Sequence, residues 1–278
     1  MIFMLAHPVT GNSVNGCHAT RSNTLRCRGL VRPKKINDFR STLAGIHRRG
    51  PKPKNDREML EAMLWILRTG APWRDLPKSF PPWESVYSRF RRWTDLGLWA
   101  HLLAYFRSEL ADEEYLMIDS SGVRVHQDAS RVKEANFQQA MGRSKGGLST
   151  KIHMACDALG YPLGFILTGA ERHDCTQARA LIDKFIRPEQ KCLMDAGYDS
   201  DDIRSCVMQQ GATAVIAYRK NRVKVPEFDK DIYKERHKVE NLFQKIKRYR
   251  RVAMRFEKLQ MTFAAMVAIA SILVWIKL

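Results

Sequence analysis

Two short apolar runs, each closed by an aspartate, constrain the fold of this chain more than any other feature. Leu116-Met-Ile-Asp119 and Cys192-Leu-Met-Asp195 are too short for helices and are bounded by polar residues, so both read as buried strands. A carboxylate closing a buried strand is costly unless a cation meets it. One such Asp is commonly a helix cap or an ion-pair partner. Two in the same context, followed by a helical carboxylate at Glu240, point to a shared cation site. Oxygen-only ligands of this kind select magnesium or manganese over zinc.

The segments around these runs supply the rest of a layered fold. Ser149–Cys156 and Tyr161–Leu167 read as strands joined by a turn at Asp157–Gly160, and Ala214–Tyr218 as a further strand. Thr176–Ile186, Asp201–Gln210 and Asp231–Arg251 read as helices, the last long and polar. Three strands followed by alternating helices and strands predict an α/β fold, a mixed sheet covered by helices on both faces. In that architecture Asp119 and Asp195 are expected at the C-terminal edge of the sheet, where ligand sites gather.

At about 100° per residue, Tyr233, Arg236, Glu240, Gln244 and Lys247 share one narrow sector of the last polar helix. Ile232, Val239, Leu242, Phe243, Ile246 and Tyr249 form the adjoining apolar side. Glu240 is therefore expected at the margin between core and groove, flanked by two cations. Taken alone, the stripe is better explained by a solvated helix braced by an Arg236–Glu240 pair.

Upstream lies a different texture. Residues 1–36 have no sustained periodicity and read as a loose basic lead, and 48–54 (Arg-Arg-Gly-Pro-Lys-Pro-Lys) as an extended cationic linker. After an Asn55-Asp56 cap, Met59, Leu60, Met63, Leu64 and Leu67 recur at helical spacing until Gly70. A second helix begins near Pro82, with Val86, Phe90 and Trp93 on one stripe. A third runs through Leu98, Leu102, Leu103 and Phe106. Short helices joined by tight turns and carrying Arg74, Arg89, Arg91 and Arg92 are compatible with a helix-turn-helix-like DNA-binding unit, and equally with a small structural bundle. Trp73 and Trp83 could stack on bases, but burial within that bundle is the simpler expectation.

Charge narrows the partner. With 47 Lys and Arg against 29 Asp and Glu, the chain carries a formal +18. Between Arg21 and Glu58 there are twelve basic residues against three acidic, and between Arg219 and Lys258 fifteen against six. Such excess fits a polyanion, either nucleic acid or an anionic membrane surface. The six cysteines form no C-x-x-C pair, which points to a reducing compartment without disulfides. Met1–Leu5 is too short for a signal peptide. The apolar run Met261–Ile276 approaches spanning length, yet Thr262, Ser271 and its alanines favour a buried core helix, so no membrane partner is expected. His126, His153 and His173 lie near the expected active edge, where supporting or structural roles are expected rather than ligation.

The stretch Tyr233 to Lys247, Tyr-Lys-Glu-Arg-His-Lys-Val-Glu-Asn-Leu-Phe-Gln-Lys-Ile-Lys, resembles the Y-x2-R-x3-E-x6-K signature of insertion-sequence DDE transposases. Leu116-Met-Ile-Asp-Ser-Ser with Val123-Arg-Val-His126 is similar to the first-Asp motif of that family, and Leu193-Met-Asp-Ala-Gly-Tyr-Asp-Ser200 to the second. Gly142–His153 and Leu67–Pro77 resemble segments of its IS-five group. The likeness runs from about Arg49 to the C-terminus. Residues 37–47 lack the Trp usual at this place in the family, and 1–36 resemble nothing in it.

The resemblance implies an RNase H-like catalytic domain over 113–278, a helical DNA-binding region over 49–112, and a poorly ordered basic lead over 1–48. It implies two Mg2+ or Mn2+ ions, with Asp119 bridging both and Asp195 and Glu240 each completing one. Tyr233, Arg236 and Lys247 would hold the scissile phosphate and terminal DNA. The reaction implied is cleavage at the element's ends and strand transfer into target DNA, with double-stranded DNA as partner, a homodimer on DNA, and a cytoplasmic, nucleoid-associated setting. No tyrosine or serine nucleophile is needed. Two other functions share these residues: a catalytically silent DNA-binding protein derived from a transposase, and an RNase H-like nuclease that cuts without joining.

Overall fold

The computed structural model describes residues 55–130, 139–223, 227 and 229–276. Expectations for 1–54, including the basic lead and the linker, lie outside the described residues.

The described residues open with three helices. In α1 (Asp56–Thr69) the Asn55 side chain accepts from the Arg57 N–H at 3.2 Å, capping the first turn. Gly70 stops the helix in the left-handed conformation (φ 73°), its N–H donating to the Ile66 carbonyl. A 3-10 turn (Trp73–Asp75) leads to α2 (Trp83–Asp95), and Gly97 starts α3 (Leu98–Leu110). Each buries the apolar stripe visible in its sequence: Met59, Met63 and Leu67; Val86, Phe90 and Trp93; Leu98, Leu102 and Phe106.

The sheet follows. β1 (Tyr115–Val125) leads through the four-residue α4 (Gln127–Ser130) to β2 (Gly142–Ser144), β3 (Gly147–Cys156) and β4 (Pro162–Gly169). Then come α5 (Cys175–Phe185), β5 (Lys191–Met194), a 3-10 turn (Ala196–Tyr198), α6 (Asp201–Gln209) and β6 (Thr213–Ile216). After these are α7 (Lys230–Lys234), α8 (His237–Lys247), α9 (Arg250–Ala253), the two-residue β7 (Met254–Arg255) and α10 (Gln260–Ile276). β4, β3 and β1 are successively antiparallel, and β1, β5 and β6 are successively parallel. β2 lies beside β3, and β7 pairs parallel with the end of β1. An antiparallel meander continued by two parallel strands is the RNase H-like order.

Strand parity divides the core in two. Leu116 and Ile118 of β1, Cys192 and Met194 of β5 and Ile216 of β6 face α5 and α6, against Leu181, Ile182 and Val207. Met117 and Val123, Leu193 and Val215 face the other way, into a core shared with α1, α2, α3, α8 and α10. The helices of 56–110 therefore have no core of their own. α10 is closed in by the fold, with Thr262 and Ser271 buried among its apolar residues. Among the described residues no helix is long and apolar enough to cross a membrane. Cys156, Cys192 and Cys206 are buried free thiols and Cys175 is a half-buried one.

Two expectations are corrected. β1 does not end at Asp119: it continues to Val125, because the polar Ser120–Arg124 stretch pairs residue for residue with β3, from Ser120 opposite His153 to Arg124 opposite Ser149. The helix expected over Asp231–Arg251 is not continuous. At its centre Arg236, Lys238 and Val239 donate to carbonyls three residues back, so a 3-10 joint separates α7 from α8.

Candidate active site

Parity and register bring the acids together. In the β1/β5 pairing Tyr115 faces Lys191, Leu116 faces Cys192 and Met117 faces Leu193, so continuing the register sets Asp119 beside Asp195. Asp119 has the parity of Met117, and Asp195 that of Leu193, so both side chains lie on the face covered by α8. β5 ends at Met194, which leaves Asp119 within β1 just where its parallel neighbour stops. The Asp195 carboxylate accepts the Gly197 N–H at 2.9 Å, capping the following turn. Asp119 Oδ1 accepts the Ser120 N–H at 2.8 Å.

α8 supplies Glu240, whose side chain is half exposed. Arg236, at the 3-10 joint, ties the two elements: its Nη1 donates to Asp119 Oδ2 at 3.2 Å and its Nη2 donates to Glu240 Oε1. Its guanidinium also lies 5.9 Å from the centre of the Tyr233 ring. Lys247, at the end of α8, donates from Nζ to Ser121 Oγ at 2.6 Å and to the Gly122 carbonyl at 2.9 Å. Burial pushes the Asp119 carboxyl up to about 6; the Ser120 N–H and Arg236 oppose the shift, while Asp195 and Glu240 add to it. Burial also lowers the Lys247 ammonium below its usual range.

The structure thus gathers Asp119, Asp195, Glu240, Tyr233, Arg236 and Lys247 at one edge. Among the described residues, no three His, Cys, Asp or Glu side chains stand close enough together to hold a metal ion as they are. The arrangement nonetheless fits a cation. Its donors are hard oxygens, and a buried carboxyl with two like-charged neighbours is relieved by positive charge.

The arginines of the helical region stand elsewhere and have varied company. Arg89 pairs with Asp56 and lies over the Trp93 ring, a structural role. Arg74 stacks on Trp83 and Arg91 reaches Asp95 at 3.9 Å. Trp73 packs against Tyr87 and Phe90, with ring centres 5.2 Å apart in each case. Of the histidines, His153 is fully buried and shares a hydrogen bond with Thr168 Oγ1, and burial pushes it down to about 4. His126 packs on Phe256.

Asp174 escapes the sequence reading. It heads α5, and its carboxylate accepts from Ser120 Oγ at 2.7 Å and pairs with Lys151 at 3.0 Å. No apolar run or motif marks it.

An RNase H-like sheet with carboxylates at the end of β5 and beside it in β1, and a cationic helix laid across them, is an arrangement chemically suited to cation-assisted work on a phosphate. The comparisons with known proteins name the family. Residues 111–275 match the profile described as "Transposase DDE domain", and residues 38–103 match that of "Putative transposase of IS4/5 family". The chain belongs to the DDE transposases of insertion sequences, and the likeness begins before Arg49, where the motifs alone had placed it.

A relative from Brucella ovis, "Putative transposase for insertion sequence element IS6501", is 37% identical over 131 residues, 47% of this chain and 100% of that protein. Another from Burkholderia cepacia, "Putative transposase for insertion sequence element IS402", is 33% identical over 39% of this chain and 54% of its own length. Among solved structures, the piggyBac transposase synaptic complex with hairpin DNA is similar at a TM-score of 0.41 and 15% identity, over 71% of this chain and 51% of that one. This chain therefore spans about half the length of the piggyBac chain. The Mos1 transposase paired-end complex is similar at 0.25 and 11%, over 76% and 85%.

Proposed function

We propose that this DDE transposase works through Asp119, Asp195 and Glu240, whose carboxylates would hold two divalent cations, magnesium or manganese. The observation that carries the reading is the continuation of the β1/β5 register, which sets two aspartates side by side beneath the helix bearing Glu240. When bound, such a pair of ions activates an attacking oxygen and stabilises the leaving one. Asp119, held by the Ser120 N–H, and Asp195, held by the Gly197 N–H, have fixed orientations before any substrate arrives. Arg236 and Lys247 flank the acids and neutralise the non-bridging oxygens of a phosphate; Tyr233 braces Arg236.

In the first step a water oxygen attacks the phosphodiester in line. The bond to the leaving 3′ oxygen breaks, and that oxygen takes up a proton as a free 3′-hydroxyl. In the second, this hydroxyl attacks a phosphodiester of target DNA, forming one P–O bond and breaking another, with no covalent link to the protein. Arg74, Arg91 and Arg92 of the helical region at 49–112 contact DNA outside the cleavage point. Arg89, fixed to Asp56, contributes there through the fold. Two element ends must meet, so the working form is a homodimer on double-stranded DNA, acting at the nucleoid in the cytoplasm.

The test is cleavage and joining of DNA carrying the gene's own flanks, with Mg2+ or Mn2+, comparing wild type with Asp195→Asn. Metal-dependent cutting and joining by wild type, absent in the variant, is the expected result. Cutting without joining would establish the nuclease reading. Binding without cutting in both proteins would establish the silent one.

A further inference from the structure

We infer that Asp174 is a positioning residue for Asp119, acting from the opposite face of the sheet through Ser120. The inference rests on the catalytic reading above.

Asp174 immediately precedes α5 with a helical backbone, and its side chain makes no hydrogen bond to the first turn of that helix. Its carboxylate instead crosses to the sheet. Oδ1 accepts from Ser120 Oγ at 2.7 Å and pairs with Lys151 Nζ at 3.0 Å, while the same ammonium donates to the Arg172 carbonyl at 2.8 Å. His153, directly opposite Ser120 in the β1/β3 pairing, closes the floor with Nδ1 3.9 Å from Oδ1. Burial, countered by the Asp174 charge and reinforced by Lys151, holds that imidazole neutral. Ser120 and Lys151 hold the Asp174 carboxyl below its usual range although burial acts the other way, so it is a firm acceptor.

Ser120 joins the two faces. Its hydroxyl points to Asp174 on the α5 side, and its N–H donates at 2.8 Å to Asp119 Oδ1 on the α8 side. A side chain clamped from below fixes the peptide that orients the carboxylate above. Groups that orient a ligand in this way set metal affinity by about 10- to 100-fold. The Ser120 and Lys151 contacts of Asp174 thus bear on Asp119 rather than on the helix it precedes.

The experiment uses the full-length protein with Asp174→Ala, Ser120→Ala, both together, and the conservative Asp174→Asn. Binding of Mn2+ alone is followed by titration calorimetry, with melting temperature and DNA-cleavage kinetics alongside. The expected result is Mn2+ affinity at least about 10-fold weaker in Asp174→Ala. The kcat should be lower with KM for DNA unchanged, Ser120→Ala should match it, and the double variant should be no worse than either single one. Asp174→Asn, which still accepts from Ser120, should recover most of the loss. Wild-type Mn2+ affinity in Asp174→Ala, whatever its melting temperature, would overturn the inference, as would additive effects in the double variant. Asp195→Asn is the control: lost Mn2+ binding there alongside unchanged binding in Asp174→Ala removes the positioning role alone. Unchanged binding in Asp195→Asn removes the metal reading itself.

Discussion

Arg236 and Asp119, 117 residues apart in sequence, form an ion pair of 3.2 Å that joins the helical half of the site to the sheet half. The same guanidinium holds Glu240, so one cation spans two carboxylates of the proposed metal site.

Replacing that cation should therefore expose the acids to one another. Arg236→Ala is expected to melt at a lower temperature than wild type without metal, and saturating Mn2+ should close most of the gap. Cleavage should fall by about 100-fold or more if Arg236 meets the scissile phosphate as proposed. A metal-free melting curve identical to wild type would show that Arg236 does not screen the carboxylates.

Lys247 leads to a different readout. Two of its three ammonium donors are taken by Ser121 and Gly122, which leaves one for a phosphate. Lys247→Ala should weaken binding of element-end DNA without regard to base sequence. The slope of log affinity against log salt should shrink by about 1, the mark of one lost phosphate contact. An unchanged slope would assign the residue to the fold alone.

Gly70 tests the seam between the first helix and the site helices. It lies in the left-handed region, and a Cβ there would stand 2.9 Å from Arg250 Cβ. Gly70→Ala should cost roughly 1–2 kcal/mol in urea unfolding, through backbone strain and this contact together. Wild-type stability would mean that α9 moves aside freely.

Asp199 sets the acid limb of stability. Burial alone would raise its carboxyl. The Arg219 N–H and the guanidinium groups of Arg204 and Arg222 outweigh burial and hold it below the usual range. A carboxyl lowered on folding stabilises the native state above its unfolded value of about 3.9, and the benefit disappears as pH falls through the lower folded one. Asp199→Asn should flatten the loss of stability as pH falls below the unfolded value of about 3.9, seen by far-ultraviolet circular dichroism in urea. Parallel curves for the two proteins would count against this role.

The elements with strong periodicity were legible in the sequence, because their signal and their burial have one cause. Val86, Phe90 and Trp93 form a stripe because they face the core. Leu116 to Ile118 and Cys192 to Met194 are apolar throughout because both faces of the central strands are covered. Ser120 to Arg124 misled because Ser-Ser-Gly has the composition of a turn, and only the long-range partner β3 makes it a strand. The 3-10 joint at Arg236 was invisible for a related reason: neither Pro nor Gly marks it. Asp119, Asp195 and Glu240 could be picked out from their strand and motif settings. Asp174 could not, since its importance lies in a hydroxyl 54 residues away.

The sharing of one core between the helices of 56–110 and the α8–α10 face of the sheet bears on how such a protein can be taken apart. A reader of DNA and a cutter of DNA built as separate beads could be exchanged or lost singly. Here α1, α2 and α3 are the lid of the cutter's interior. A chain beginning after Leu110 would bare the face of α10 that packs on α2 and α3, Ala265 and Ala268 among it, an adhesive surface of the sort that drives aggregation. Damage to the front of the gene would then silence the whole enzyme, rather than release a catalytic fragment with no address.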